Sequence, residues 1–201
     1  GRVLIPLSKY RECWGFDNSQ KMLDGLIQKA PELKHRVSNQ DLLSFNYTQG
    51  EFDAILCTFS IFTHILTVEE QEKFLYNVKR ILKDGGTFII DVFKPMPLLP
   101  SEKFDYSRIL PNGDELMRGS RIEPTSLINQ INKITKRYVL FRDEKQIDKR
   151  IFTEVIRYTY YWEMIHLLEK VGFMIEAQYG DYNMNKIEEN SPQMIFVCEK
   201  V

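Results

Sequence analysis

The sequence lacks an excess of charge of either sign, because its 27 lysine and arginine residues are balanced by 28 acidic residues, for a formal net charge of −1. No net positive field is present to attract nucleic acid or an anionic membrane surface, so neither partner is predicted. The balance favours a protein that acts on small molecules.

Cysteine is scarce as well. Cys13, Cys57 and Cys198 lie far apart in apolar stretches, and they match neither the C-x-x-C spacing of a metal site nor the even number of a disulfide framework. We expect three buried thiols in a reducing compartment, and we predict no metal site.

Long hydrophobic runs are also missing. No apolar stretch reaches 18 residues, and no basic-then-apolar leader is visible. The sequence therefore predicts a cytoplasmic protein. At 201 residues, 43% of them hydrophobic, the chain can bury one substantial core. Because it starts on Gly1 and an apolar segment rather than on Met, we expect natural residues upstream.

The first ninety residues alternate between strand and helix patterns. Residues 12–17 are apolar and partly aromatic, as in a buried strand, and Asn18 or Ser19 is suited to cap the helix that follows. Val37–Asn39 is a shorter strand candidate. The stretch 52–60 is apolar almost throughout, as in a parallel strand covered on both faces.

A second helix and strand continue this alternation. Thr67 and Glu70 form a T-x-x-E capping box, and Gly85 with Gly86 is expected to end the helix behind it. Residues 87–93 then form the next strand. The alternation predicts an α/β fold with a doubly wound, mostly parallel sheet and right-handed crossovers.

The texture of the sequence changes after residue 93. Pro95, Pro97 and Pro100 break regular structure. Three short mixed stretches beyond them are typical of antiparallel strands, at residues 119–124, 132–143 and 149–160. We predict a β-rich insertion or cap over 95–159, laid over the acceptor pocket of an α/β core formed by 1–94 and 160–201.

The end of the chain returns to the core pattern. Residues 161–171 have helical spacing and Gly172 is expected to stop the helix. The last two strands, 173–179 and 194–201, are joined by a loop too short for a comfortable crossover. They should therefore pair antiparallel.

Polar residues follow the predicted strands, where a doubly wound sheet binds its ligands. Asp17 ends the first pattern, Asp41 follows the second, and residues 58–60 follow the third, so we expect one common rim. The carboxylate of Asp17 suits the two hydroxyls of a ribose, and Asp41 suits the amine of an adenine. Taken alone, an Asp at position 17 is better explained as a solvated turn or helix-capping residue, and only the convergence of several strand ends favours a binding site.

Several stretches together resemble the class I S-adenosylmethionine-dependent methyltransferases. "GRVLIPLSKYRECWGFDNSQKML" resembles the second half of their nucleotide-binding motif, with Gly1 matching the last glycine of the glycine-rich loop. "NQDLLSF" is similar to their acidic adenine-contacting loop, "FDAILCTFSIFTHI" to their fourth strand, and "VKRILKDGGTFIIDVF" to the helix, Gly-Gly turn and fifth strand. "IRYTYYWEMIHLLEKVGFMIEAQYGDYN" resembles the small-molecule branch. The family's first strand and earlier glycines are missing from this chain.

The resemblance implies S-adenosylmethionine as cofactor and a small-molecule acceptor. Asp17 would bind the ribose, Gly1 the methionine moiety, and Asp41 with Leu42 the adenine. The full set of implied cofactor-binding residues is Gly1, Asp17, Asn18, Met22, Asp41, Leu42, Thr58, Phe59 and Ser60.

The same resemblance suggests acceptor and catalytic residues. His64 and Tyr158 are candidates to handle a proton, and Arg157, Tyr160 and Tyr161 approach the acceptor from the insertion. A surface position explains His64 equally well, and packing between insertion and core explains the tyrosines.

Two other functions remain open from the sequence. An NAD(P)-dependent oxidoreductase of Rossmann type also places an acid after its second strand. A non-catalytic S-adenosylmethionine-binding or regulatory protein would keep the same fold. The acceptor and the oligomeric state are not predicted.

Overall fold

The computed structural model describes residues 1–95 and 102–201. Of the prolines predicted to break regular structure, Pro97 and Pro100 lie outside these residues. The chain divides into two units, Gly1–Thr48 and Gln49–Val201. No helix in the described ranges is both long and apolar enough to cross a membrane.

The first unit is a strand, helix, strand arrangement. Its elements are α1 (Leu4–Leu7), β1 (Gly15–Asp17), α2 (Gln20–Lys29), a 3₁₀ helix (Pro31–Arg36) and β2 (Val37–Asn39). β1 and β2 pair in parallel with Asp17 opposite Asn39. Leu26, Ala30 and Leu33 form a small buried core. The parallel pair and the helix between its strands confirm the predicted order.

Two local predictions for this unit are wrong. β1 has three residues rather than the six predicted, because its ladder with β2 contains only three register pairs. Ser19 occupies the N-cap of α2, but neither Asn18 nor Ser19 caps the helix with its side chain. Instead, the carboxylate Oδ1 of Asp17 accepts a hydrogen bond from the Ser19 N–H at 2.8 Å.

The second unit contains the remaining elements. They are β3 (Phe52–Cys57), a 3₁₀ helix (Ile61–His64), α3 (Val68–Ile81), β4 (Leu82–Phe93), β5 (Glu102–Ile109), β6 (Glu115–Ser126), β7 (Ile131–Arg142), β8 (Lys145–Arg157), α4 (Tyr161–Val171), β9 (Phe173–Tyr179) and β10 (Gln193–Lys200). They form two four-stranded sheets, in the orders β3-β4-β10-β9 and β5-β6-β7-β8.

The first of these sheets is mixed, and the helices α3 and α4 pack against its strands. β3 and β4 run parallel, whereas β10 is antiparallel to both of its neighbours, β4 and β9. α3 begins at the predicted capping box, where Thr67 Oγ1 accepts from the Glu70 N–H at 3.2 Å. Phe74, Val78 and Ile81 of α3 are buried, as their helical spacing predicts.

Two predictions about β3 and β4 are corrected by the structure. β3 is an edge strand of its sheet, and Leu56 is 42% exposed, so this strand is not covered on both faces. α3 ends at Ile81 and not at the glycines, because Leu82 already has extended backbone. Gly85, with φ of +70°, instead lies in the irregular part of β4, between the register pairs Phe52↔Leu82 and Ala54↔Thr87.

The second sheet lies within the predicted insertion. All its neighbouring strands are antiparallel, and the three stretches predicted as strands correspond to β6, β7 and β8. β5 was not predicted, because acidic and basic residues interrupt its alternation. The position of this sheet over an acceptor pocket stays a prediction.

Candidate functional site

The carboxyl ends of β1 and β2 meet at one edge in the first unit. Asp17 is the register partner of Asn39, and its carbonyl accepts from the Gln40 N–H at 3.4 Å. The side-chain amide of Asn39 donates to the carbonyl of Asn18 at 3.3 Å. The structure therefore brings the Asp17–Asn18 turn beside the residues that follow β2.

The Asp17 carboxylate has one committed oxygen and one open oxygen. Oδ1 accepts from Ser19, whereas Oδ2 has no hydrogen-bond partner in the described part of the chain. The side chain is half-buried. A carboxylate held in this way keeps acceptor capacity for the hydroxyls of a ligand while it also shapes the turn.

Asp41 and Leu42 follow β2 at this edge. Asp41 is exposed, and its Oδ1 accepts from the Leu43 N–H at 2.8 Å, which closes a turn. Leu42 is half-buried. The segment then folds back over β1, where the rings of Phe16 and Phe45 stack with centroids 5.1 Å apart.

Gly1 and Met22 complete the predicted cofactor residues of this unit. The Gly1 carbonyl accepts from the Ile5 N–H at 3.1 Å, and a Cβ on Gly1 would lie 2.7 Å from Ile5 Cδ1. Gly1 therefore allows close packing against α1. Met22, in the first turn of α2, is 58% exposed.

In the second unit, Thr58, Phe59 and Ser60 follow β3. Phe59 and Ser60 both have left-handed backbone, with φ of 61° and 56°. Such a conformation costs a non-glycine residue about 1–2 kcal/mol. Phe59 is 50% exposed, so the segment displays an aromatic ring at its surface.

A buried carboxylate on the neighbouring strand holds this segment. Asp91 of β4 is only 1% exposed, and it accepts from the backbone N–H of Phe59 at 2.8 Å and of Ser60 at 2.7 Å. The Tyr182 hydroxyl donates to it at 2.9 Å. Our sequence analysis missed Asp91, although a single acid inside the apolar strand 87–93 was a visible signal.

His64 lies at the end of the 3₁₀ helix that follows Ser60, and it is exposed. This helix starts from Ser60, whose carbonyl accepts from both the backbone N–H and the Oγ1 of Thr63, at 3.0 and 2.7 Å. The position of His64 therefore depends on the conformation of Ser60.

The guanidinium of Arg157 is buried, and it is hydrogen-bonded to other side chains of the protein. It is 4% exposed and donates to Gln71 at 2.8 Å, Gln130 at 3.0 Å and Glu163 at 2.5 Å, with a longer bond to Thr159. These partners lie on α3, α4 and the β6–β7 turn. The observed role of Arg157 is therefore to join β8 to both helices.

The three candidate tyrosines differ in access. Tyr158 is 5% exposed, and burial, with a smaller effect of Tyr160, raises the pKa of its hydroxyl. Its ring contacts that of Tyr160 edge-on, with centroids 5.5 Å apart, and Tyr160 is 56% exposed. The hydroxyl of Tyr161 donates to Gln178 on β9. The raised pKa favours the neutral phenol of Tyr158, which can donate a hydrogen bond.

Comparison with known families agrees with the fold. Residues 1–86 match the model of a methyltransferase domain family. A curated relative, the glycine/sarcosine N-methyltransferase of Parasynechococcus marenigrum, is 26% identical over 183 residues. The match covers 87% of this chain but 55% of the relative, so the chain spans about half of that protein's length.

Solved structures resemble the chain over nearly its whole length. The CcbJ methyltransferase from Streptomyces caelestis superposes with a TM-score of 0.79 at 19% identity, covering 100% of this chain and 85% of that one. CalS10, an amino pentose methyltransferase from Micromonospora echinaspora, has a TM-score of 0.76 at 14% identity, covering 98% and 78%. The resemblance predicted from the sequence is thus confirmed: residues 1–86 match a methyltransferase domain family, and the chain has the fold of solved methyltransferases.

Proposed function

We propose that this protein is a methyltransferase that uses S-adenosylmethionine to methylate an amine of a small molecule. The observation that carries the proposal is the open oxygen of Asp17, at the carboxyl end of a parallel strand and within the region of the family match. The amine is supported by the relatives, one named an N-methyltransferase and one a methyltransferase of an amino sugar.

Residues of the first unit would hold the adenosine. Asp17 would accept from the ribose hydroxyls, with Asn18 and Met22 beside it. Asp41 and Leu42 would contact the adenine, and Gly1 the methionine moiety. The hydrogen bond from Ser19 supports this assignment for Asp17, because it fixes the carboxylate through Oδ1 and leaves Oδ2 able to accept from a ligand.

Residues of the second unit are proposed for the rim and the acceptor. Thr58, Phe59 and Ser60 would line the cofactor, and His64 is the exposed group suited to take a proton from an ammonium. Tyr160 and Tyr161 remain candidates for acceptor contact. Tyr158, held protonated by burial, would donate a hydrogen bond and is not proposed as a base.

Little acid–base machinery is needed for this reaction. Bound S-adenosylmethionine would supply a methyl group already activated on its sulfonium. The residues of the chain would orient the acceptor nitrogen in line with that methyl group, exclude water, and receive the proton that the amine loses, for which His64 Nε2 or Nδ1 is the proposed acceptor.

The proposal is tested by calorimetry of S-adenosylhomocysteine binding in the intact protein. Asp17→Asn keeps an oxygen for the Ser19 N–H but removes the charged acceptor, so we expect binding to weaken by about 1–3 kcal/mol. Asp24→Asn makes the same change at an exposed position of α2, where the carboxylate accepts a hydrogen bond from Gln20 at 2.9 Å, and should bind as wild type does.

Three results would separate the alternatives. Wild-type affinity in Asp17→Asn would remove Asp17 from the site. Binding of NADH, seen by its fluorescence, in place of S-adenosylhomocysteine would favour the oxidoreductase, which the antiparallel β9–β10 pair disfavours. Binding without transfer of labelled methyl to a panel of amines would favour a regulatory protein.

A further inference from the structure

Asp91 is a buried charge that the proposed chemistry leaves without a role. Both of its oxygens accept hydrogen bonds. Oδ1 accepts from the Ser60 N–H and, at 3.4 Å, from the Ser60 hydroxyl, and Oδ2 accepts from the Phe59 N–H and the Tyr182 hydroxyl. Burial of a carboxylate is costly unless donors surround it, and here two backbone amides and a phenol do so. With 1% exposure, the side chain is closed off from any ligand.

Its backbone partners are two consecutive left-handed residues. Phe59 and Ser60 have positive φ without being glycine, which a chain adopts only where surrounding contacts compensate for the strain. Both amides point to one carboxylate on the next strand. Asp91 is therefore the group that stabilises this conformation at the end of β3.

The effect extends to His64 through Ser60. The Ser60 carbonyl accepts both bonds from Thr63, which is 2% exposed, and so starts the 3₁₀ helix that ends at His64. A hydrogen-bonded path thus runs from Asp91 through Ser60 and Thr63 to the helix that carries His64. On the other side, Tyr182 links the loop after β9 to the same carboxylate.

We propose that Asp91 is a positioning residue for methyl transfer, which holds Phe59, Ser60 and the turn that bears His64 in their ligand-binding geometry. The inference rests on the proposed function, because that proposal assigns these three residues to the cofactor and the acceptor. Asp91 itself touches neither.

Amide hydrogen exchange measured by NMR tests the geometry without any ligand. In the wild type, the amides of Phe59 and Ser60 should be protected, although they lie in an irregular segment beside an exposed ring. Exchange of both amides at the rate of an unfolded peptide would overturn the proposal, even if no variant of Asp91 folds. In Asp91→Asn, which replaces one acceptor oxygen by a donor, we expect exchange to rise at least tenfold.

The functional effect is measured as affinity for S-adenosylhomocysteine. Asp91→Asn should weaken binding by about tenfold, the loss expected for one charge-assisted hydrogen bond. Asp53→Asn is the matched control: its exposed carboxylate lies at the other end of β3 and pairs with Lys83, so affinity and exchange at residues 59 and 60 should not change.

A double-mutant cycle separates positioning from a general loss of stability. Ser60→Gly and Ser60→Ala both remove the hydroxyl that donates to Asp91 Oδ1 at 3.4 Å, but only glycine adopts positive φ freely. Asp91→Asn should therefore cost less affinity in the Ser60→Gly background than in the Ser60→Ala background. Equal losses in the two backgrounds would overturn the proposal. If the wild type binds no S-adenosylhomocysteine, the proposed function fails, while the exchange data still decide whether Asp91 holds the segment.

Discussion

At the scale of single residues, the role inferred for Arg157 changed once its neighbours in the structure were known. Its position beside three tyrosines suggested an acceptor contact, yet its guanidinium is enclosed by oxygen atoms of Gln71, Gln130 and Glu163. Gln71 is 86 residues away in the chain. A buried cation with this many acceptors serves to join elements, because each acceptor in turn loses its partner if the cation is removed.

Removal of this cation should therefore destabilise the fold. We expect Arg157→Met to lower the free energy of unfolding by about 3 kcal/mol, the lower end for breaking a buried pair, because the side chain of Glu163 keeps 25% exposure. Urea unfolding followed by circular dichroism measures the loss.

Lys170→Met provides the comparison for Arg157→Met. Lys170 pairs with Glu72 at the surface, where its side chain is 59% exposed, so its replacement should cost much less. Equal losses in the two variants would show that the burial of Arg157 contributes nothing beyond a surface ion pair.

At the scale of elements, the ends of the helices follow local rules that can be read from the chain. α4 ends at Gly172 with φ of +87°, as a left-handed C-cap. Thr67 and Glu70 start α3 as predicted. The end of α3 does not follow its glycines, because Leu82 already belongs to the ladder with β3. The pairing of β4 with β3 therefore ended α3 before the two glycines that were predicted to end it.

Two glycine substitutions should change stability in opposite directions. Gly172→Ala forces a side chain into left-handed backbone and places Cβ 2.5 Å from Lys79 Nζ, so we expect a loss of about 1–2 kcal/mol. Gly25→Ala, inside α2, places its Cβ more than 4 Å from every described atom beyond its chain neighbours and its own helix backbone, and should gain about 0.5–1 kcal/mol. Urea unfolding of both variants checks the signs, and a stabilising Gly172→Ala would contradict the role of the cap.

At the scale of the whole molecule, the net charge is close to zero, so the pH dependence of stability is set by individual ion pairs and not by overall charge repulsion. Hydrogen bonding to Arg142 holds the pKa of the Asp114 carboxyl below its usual value, and Lys83 does the same for Asp53. A carboxylate with a lowered pKa in the folded state contributes stability that is present above the pKa of the unfolded chain.

Stability should therefore fall on acidification. We expect the free energy of unfolding to decrease as the pH drops below about 4, through the lowered pKa values of the folded state. Urea midpoints measured over a pH series check this. Asp114→Asn should show a shallower decrease, and a variant as steep as the wild type would exclude Asp114 as a source of the pH dependence.

The sequence by itself determined the order of the strands and helices other than α1 and β5, the bounds of β2, α4 and β9, and the presence of an acid at the end of β1. These features depend on neighbours within a few residues, through hydrophobic spacing, capping and the conformational freedom of glycine.

Only the tertiary structure decided what the polar side chains do. Asp91 is 31 and 32 residues from the amides that it binds, and Arg157 is 86 residues from Gln71. Neither pairing leaves a local pattern in the chain. The physical reason is that a buried charge is stabilised by whichever donors or acceptors the packed strands and helices bring beside it, and that set exists only once the elements have assembled.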